Sequence, residues 1–198
     1  MPPIFQDPRF DALRNAIYHT ERKTFLDLVS RSLNFWVVVL GAGVAANIAG
    51  QFKIDERWLE FGVVLVATAQ LVFDFGSRAR THEFLQKRYY EMLTEMETED
   101  MEAEAVKKKW SAKLLTIAAD EPVPMRALDA LAYNKAVDAL ISDITEAQKC
   151  RLHVWWWQRR LRHYIAFQGV QFLPMEQHRG VLSRCSAFWH HKIRRHSE

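Results

Sequence analysis

The chain has 198 residues, with 27 Lys and Arg against 24 Asp and Glu and a formal net charge of +3. That length admits one ordinary domain, and a mean hydropathy slightly below zero means that any long apolar segment is offset by a distinctly polar remainder. The two cysteines, Cys150 and Cys185, stand far apart in Lys/Arg-rich sequence, which excludes a disulfide framework and makes a reducing compartment the simpler assumption.

The first predicted element is an N-terminal helix within residues 1–31. Asp7 can cap it, Pro8 suits the first helical position, and Phe10, Leu13, Ile17, Phe25 and Leu28 recur at near-helical spacing. This stretch is mixed in charge and has no apolar core followed by small residues, so no cleavable signal peptide is expected. With no Gly or Pro before the next element, one long helix should run through both.

Residues 32–77 hold two apolar segments. Ser32 to Phe52 carries no charge, and Trp58 to Ser77 carries only Glu60 and Asp74, each near one end. A helix needs roughly 20 mostly apolar residues to cross the hydrocarbon layer, and both segments qualify. With only residues 53–57 between them, they read as a tight transmembrane hairpin. A soluble bundle with a buried hairpin is the competing reading, but charge-free runs of this length leave no polar face for water. Arg14, Arg22, Lys23 and Arg31 precede the pair, and Arg78, Arg80, Lys87 and Arg88 follow it. The connecting turn offers Lys53 and Arg57, balanced by Asp55 and Glu56. The positive-inside rule then places both termini in the cytoplasm.

Small residues in the first segment fall in two rows at four-residue spacing: Gly41, Ala45 and Ala49, then Ala42, Ala46 and Gly50, with Gly43 nearby. Such rows let helices approach closely in lipid, either within the hairpin or against a neighbouring subunit in a homo-oligomer. Asn34, Asn47, Thr68 and Gln70 are polar groups at membrane depth. They either hydrogen-bond between helices or line a hydrated path, with Glu60 near its outer mouth and Asp74 near its inner one.

Residues 78–148 are expected to be cytosolic helices. The second segment should continue, with no breaker other than Gly76, into SRARTHEFLQKRYYEMLTEME. An acidic stretch from Glu91 to Glu104 meets Lys107, Lys108 and Lys109. It reads as a solvated face, or as a docking surface for the basic tail. Pro122 and Pro124 mark a boundary, after which Met125, Leu128, Leu131, Ala132, Ala136, Ala139 and Leu140 describe an amphipathic helix, with Asp129 and Asp138 off that face.

Residues 149–198 form a basic, Trp-rich tail. Trp155, Trp156, Trp157 and Trp189 are interleaved with Arg159, Arg160, Arg162, Arg184 and Lys192. Indoles favour the headgroup level and basic side chains favour anionic lipid, so an amphipathic tail on the inner leaflet is the preferred reading. Packing on the cytosolic helices is the alternative, and nucleic-acid binding ranks below both. Cys150 with His153, and Cys185 with His190 and His191, do not have a recognised zinc spacing. No Walker loop, nucleophile elbow or H-E-x-x-H is present, so neither catalysis, cofactor nor metal is expected.

YHTERKTFLDLVSRSLNF leading into VLGAG, the exit LVFDFGSRARTHEFLQKRYYEML and the later DEPVPMRALDALAYN resemble the SLATT group of small two-transmembrane bacterial proteins. The likeness runs through Asn134 and rests on Tyr18, His19 and Arg22, on Gly41 and Gly43, and on Arg78, Arg80 and His82. It implies a membrane effector of conflict and defence systems that oligomerises and perforates the membrane when a partner signals infection. The family has no established catalytic signature to transfer. The expectation is therefore an all-α membrane protein whose two-helix transmembrane hairpin continues into cytosolic helices. Its function would be to permeabilise or depolarise the bacterial inner membrane as a homo-oligomer, with the bilayer and a cytosolic regulatory protein as partners. A non-conducting anchor or scaffold that recruits a cytosolic partner is the other reading.

Overall fold

The computed structural model describes residues 7–45, 56–99 and 103–175. Among these the regular elements are helices: α1 (Pro8–Ala45), α2 (Glu56–Phe73), α3 (Phe75–Met96), α4 (Glu104–Ala118), α5 (Arg126–Leu140), α6 (Ile144–Cys150) and α7 (Trp156–Leu161). A single antiparallel bridge joins Leu152 to Pro174. The expected start of α1 is observed: Asp7 Oδ1 accepts from the Arg9 amide at 2.9 Å, and Pro8 occupies the first helical position, where a missing N–H costs nothing. The long uninterrupted α1 is observed as well.

The chain divides into two compact units, His19–Gln86 and the combination of Met1–Tyr18 with Lys87–Glu198. In the first, α1 runs antiparallel to α2 and the start of α3. Contacts descend on one side as they climb on the other. A Cβ at Gly43 would meet Leu59 at 3.7 Å, one at Gly62 would meet Leu40 at 3.4 Å, and one at Gly76 would meet the Ser30 hydroxyl at 3.6 Å. Glycine at these three positions allows the two backbones to approach closely.

One expectation is corrected here. The second apolar segment does break, and it does so at Asp74 rather than Gly76. Asp74 has φ 39°, and its carboxylate accepts from the Ser77 amide at 3.2 Å, capping α3. A short side chain that hydrogen-bonds its own backbone tolerates the left-handed region better than other residues do. The ladder is bridged across the bend by Asp74 N–H to Gln70 O and Arg78 N–H to Asp74 O.

The second unit packs the first turns of α1 against α5 and α6. Phe10, Ala136, Val137 and Ala147 form one buried cluster, joined by Leu13, Ile17, Tyr133, Ile141 and Cys150. Tyr18, Leu128 and Ala132 form another. Burial on α5 is broader than one amphipathic stripe: Ala127, Ala130 and Asn134 are buried along with Leu128, Ala132, Ala136 and Val137, whereas Ala139 and Leu140 are exposed. Small alanines let neighbours come close on more than one side of the helix. Residues 151–175 supply part of that cover. The Asn134 side-chain amide bonds both backbone groups of Leu152, at 2.9 and 2.7 Å, and the Arg126 amide donates to Ala166 O at 3.0 Å. The described part of the basic tail is thus folded onto α5.

Candidate functional site

The apolar hairpin is the feature that the rest of the fold leaves unexplained. Two helices are long and apolar enough to cross a membrane, and only 6% and 0% of their apolar windows are buried within the chain. A core helix of a soluble protein hides such a face; here Val38 is 69% exposed and Leu71 82%. Phe35, Trp36, Trp58, Phe61, Val64 and Leu65 are exposed as well. A continuous apolar surface of this size in water is a site for lipid or for other helices.

The small residues divide by role. Gly43 is buried and packs on Leu59, while a Cβ at Gly41 would meet nothing within 4 Å and Ala42 is exposed. The intrachain contact therefore uses Gly43 and Gly62 and leaves the Gly41 and Ala42 face open. Ala45 ends α1. Ala46, Asn47, Ala49 and Gly50 lie outside the described residues.

Among the polar groups, Gln70 Nε2 donates to Asn34 Oδ1 at 2.6 Å, an interhelical bond that pairs one donor with one acceptor across the hairpin. Thr68, Glu60 and Asp74 are exposed, and Asp74 spends its carboxylate on the α3 cap. Further along the same seam, His19 and His82 are 0% and 5% exposed, with their Nδ1 atoms 2.8 Å apart. At that separation one ring nitrogen donates and the other accepts, the direction being set by the two tautomers. Lys23 Nζ lies 3.4 Å from Glu83, and the Arg22 guanidinium sits 5.7 Å over the Phe25 ring. Arg78 and Arg80 point outward. Interhelical hydrogen bonding among Asn34, Thr68 and Gln70 is one of the two expectations from the sequence, and the structure pairs Asn34 with Gln70; the sequence does not name that pairing or the His19–His82 one. Counting an antiparallel register away from the turn would have brought both close to alignment.

In the second unit, Arg14 makes a two-pronged contact with Asp129, at 2.8 and 2.5 Å, that spans 115 residues of sequence. It borders a cleft of about 310 Å³ shared by Asp11, Tyr18, Leu114, Glu121 and Arg126. Burial pushes the Asp11 carboxyl above its ordinary value despite nearby Arg14. The Tyr89 hydroxyl donates to Glu121 at 2.5 Å, and burial together with that bond raises the phenol far above its usual range. The acidic stretch is occupied locally: Glu99 binds Lys109 and the Trp110 indole N–H, and Glu95 binds Lys113. The hydrogen bond from Lys109 holds the Glu99 carboxyl below its ordinary range.

The Trp run occupies the start of α7. Trp155, Trp156 and Trp157 are all exposed, as are Arg159 and Arg160, and Arg162 is half-buried. Trp157 packs edge-on against Phe167 at 5.5 Å. Arg184, Trp189 and Lys192 lie outside the described residues. Among the described residues no three metal-ligating side chains gather.

No family model, curated protein or solved structure matches the chain. What the geometry provides is an apolar helical pair with an internally paired polar seam and an open small-residue face.

Proposed function

We propose that the chain is a bacterial inner-membrane protein whose hairpin spans the bilayer with both termini in the cytoplasm. It assembles with copies of itself to permeabilise or depolarise that membrane. The observation that carries this reading is the exposed apolar hairpin with its unused Gly41 and Ala42 face. In lipid, close packing of small residues drives helix association, and this face has no occupant among the described residues. The resemblance to SLATT proteins supports the same reading and adds a cytosolic trigger, transmitted along α1 and α3 into the hairpin.

The test separates folding of the hairpin from assembly. Gly62→Leu places bulk against Leu40 and should destabilise the single hairpin. A Cβ at Gly41 meets nothing among the described residues, so Gly41→Leu should leave the monomer's melting temperature unchanged while shifting wild-type oligomers to monomers in detergent or nanodiscs. Loss of dye retention in liposomes should follow the oligomer. A wild type that is strictly monomeric would overturn the proposal.

One observation favours a second reading, a non-conducting anchor or scaffold for a cytosolic partner. The Gln70–Asn34 bond ties the two helices together and engages one donor and one acceptor that a water path would otherwise use. Wild-type oligomers that leave liposomes sealed under every stimulus, and cells unharmed by overexpression, would select the scaffold.

A further inference from the structure

We infer that Trp155, Trp156, Tyr164 and Ile165, together with Arg159 and Arg160, form a preassembled surface that seats in the headgroup layer of an anionic bilayer. The inference rests on the membrane reading of the hairpin and is independent of pore formation.

The surface is built rather than trailing. Its underside is pinned by Val154, Gln158, His163 and Phe167, all buried. The Gln158 side chain accepts from the Trp155 amide at 2.9 Å, fixing the first turn of α7. Asn134 holds Leu152 on one flank, and Arg126 holds Ala166 on the other. Above this base Trp156 is 74% exposed, Tyr164 67%, Trp155 46% and Ile165 45%. A fixed segment that turns large amphipathic rings outward exposes apolar area that water does not reward. Because its backbone is already ordered, little further entropy is lost when it binds.

Charge names the occupant. Residues 151–175 contain Arg151, Arg159, Arg160 and Arg162 and no acid. Arg151 is taken by Asp138 at 2.7 Å, whereas Arg159 and Arg160 stand exposed beside the indoles. Indole and phenol rings place an apolar body and a polar N–H or O–H at the headgroup boundary, and exposed guanidinium groups add attraction to lipid phosphate. Ile165 is an aliphatic contact, which suits acyl chains and offers nothing for a base to stack on. The hairpin keeps a bilayer tethered to this surface, so a weak contact suffices.

The full chain is placed in nanodiscs of phosphatidylcholine alone or mixed with phosphatidylglycerol, each carrying a headgroup-nitroxide lipid. Tryptophan quenching is then read in both. Trp36 and Trp58, exposed on the hairpin, report insertion in every sample. Anionic discs should quench the wild type more strongly. A Trp155→Ala/Trp156→Ala variant should lose that increment while keeping the hairpin signal. Arg159→Gln/Arg160→Gln keeps every tryptophan and should weaken the anionic-lipid contact by roughly tenfold or more. Trp156, Arg159 and Arg160 are exposed, while Trp155 also packs edge-on against His153 at 5.0 Å, so an unchanged melting temperature is required of both variants. Equal quenching in the two lipids overturns the inference, as does an increment that survives in both variants. Protection of these tryptophans from acrylamide by single-stranded oligonucleotide but not by lipid also overturns it. Absence of the hairpin signal would instead refute the membrane reading itself.

Discussion

His19 and His82 meet across 63 residues of sequence in a seam with almost no water. Truncating one of them removes a buried hydrogen-bond partner and opens a cavity at the same time. His82→Ala is therefore expected to destabilise the protein by about 2–4 kcal/mol, read as a fall in melting temperature. A loss below about 0.5 kcal/mol would mean that the seam relaxes freely. Glu99 gives a different residue-scale expectation. Its folded-state pKa is depressed, so the stability it contributes is present above its ordinary 4.5 and is lost as pH falls through the lower folded value. Acid should loosen the contact of Glu99 with Lys109 and Trp110, and Glu99→Gln should flatten the dependence of melting temperature on pH below 4.5. An unchanged acid profile in that variant would contradict this. Residue type alone names neither pair, although the hairpin register brings His19 and His82 near one another. A histidine or glutamate has many chemically suitable partners, and the fold selects among those that register brings close.

At the scale of elements, local signals did well where the physics is local. The Asp7–Pro8 start of α1, the proline boundary before α5 and the two apolar runs depend on capping, missing amides and composition, all visible within a few residues. The bend at Asp74 was missed because the glycine two residues later is the more familiar breaker. Gly76 is instead needed for space, facing Ser30. Residues 149–198 read as a basic tail, lying on the inner leaflet or packed on the cytosolic helices; in its described part Asn134 reaches across from α5 and pairs with both backbone groups of Leu152. Asn134→Ala would leave those two groups unpartnered. It should cost about 2–3 kcal/mol and expose residues 151–175 to limited proteolysis before α5 melts. Simultaneous cleavage of all elements in the variant would argue against a separable clamp.

At the scale of the whole molecule, the chain combines a unit with conventional buried clusters and a unit whose largest side chains are turned outward. The hydrophobic effect would disfavour the second in water by a wide margin, so its solvent is expected to be lipid. The protein should remain in the membrane pellet after an alkaline carbonate wash; release into the supernatant would show that the hairpin is covered by protein instead. The sequence by itself determined the two membrane-length helices, because length and lack of charge are properties of a contiguous run. It also determined the helical class, through spacing and caps. Tertiary structure alone decided which glycine faces its neighbour and which faces open space, that Gln70 is paired with Asn34, and that the Trp run sits on a fixed base. Each of those depends on the register between segments distant in sequence, and register is set by packing of the whole set of side chains rather than by any one of them.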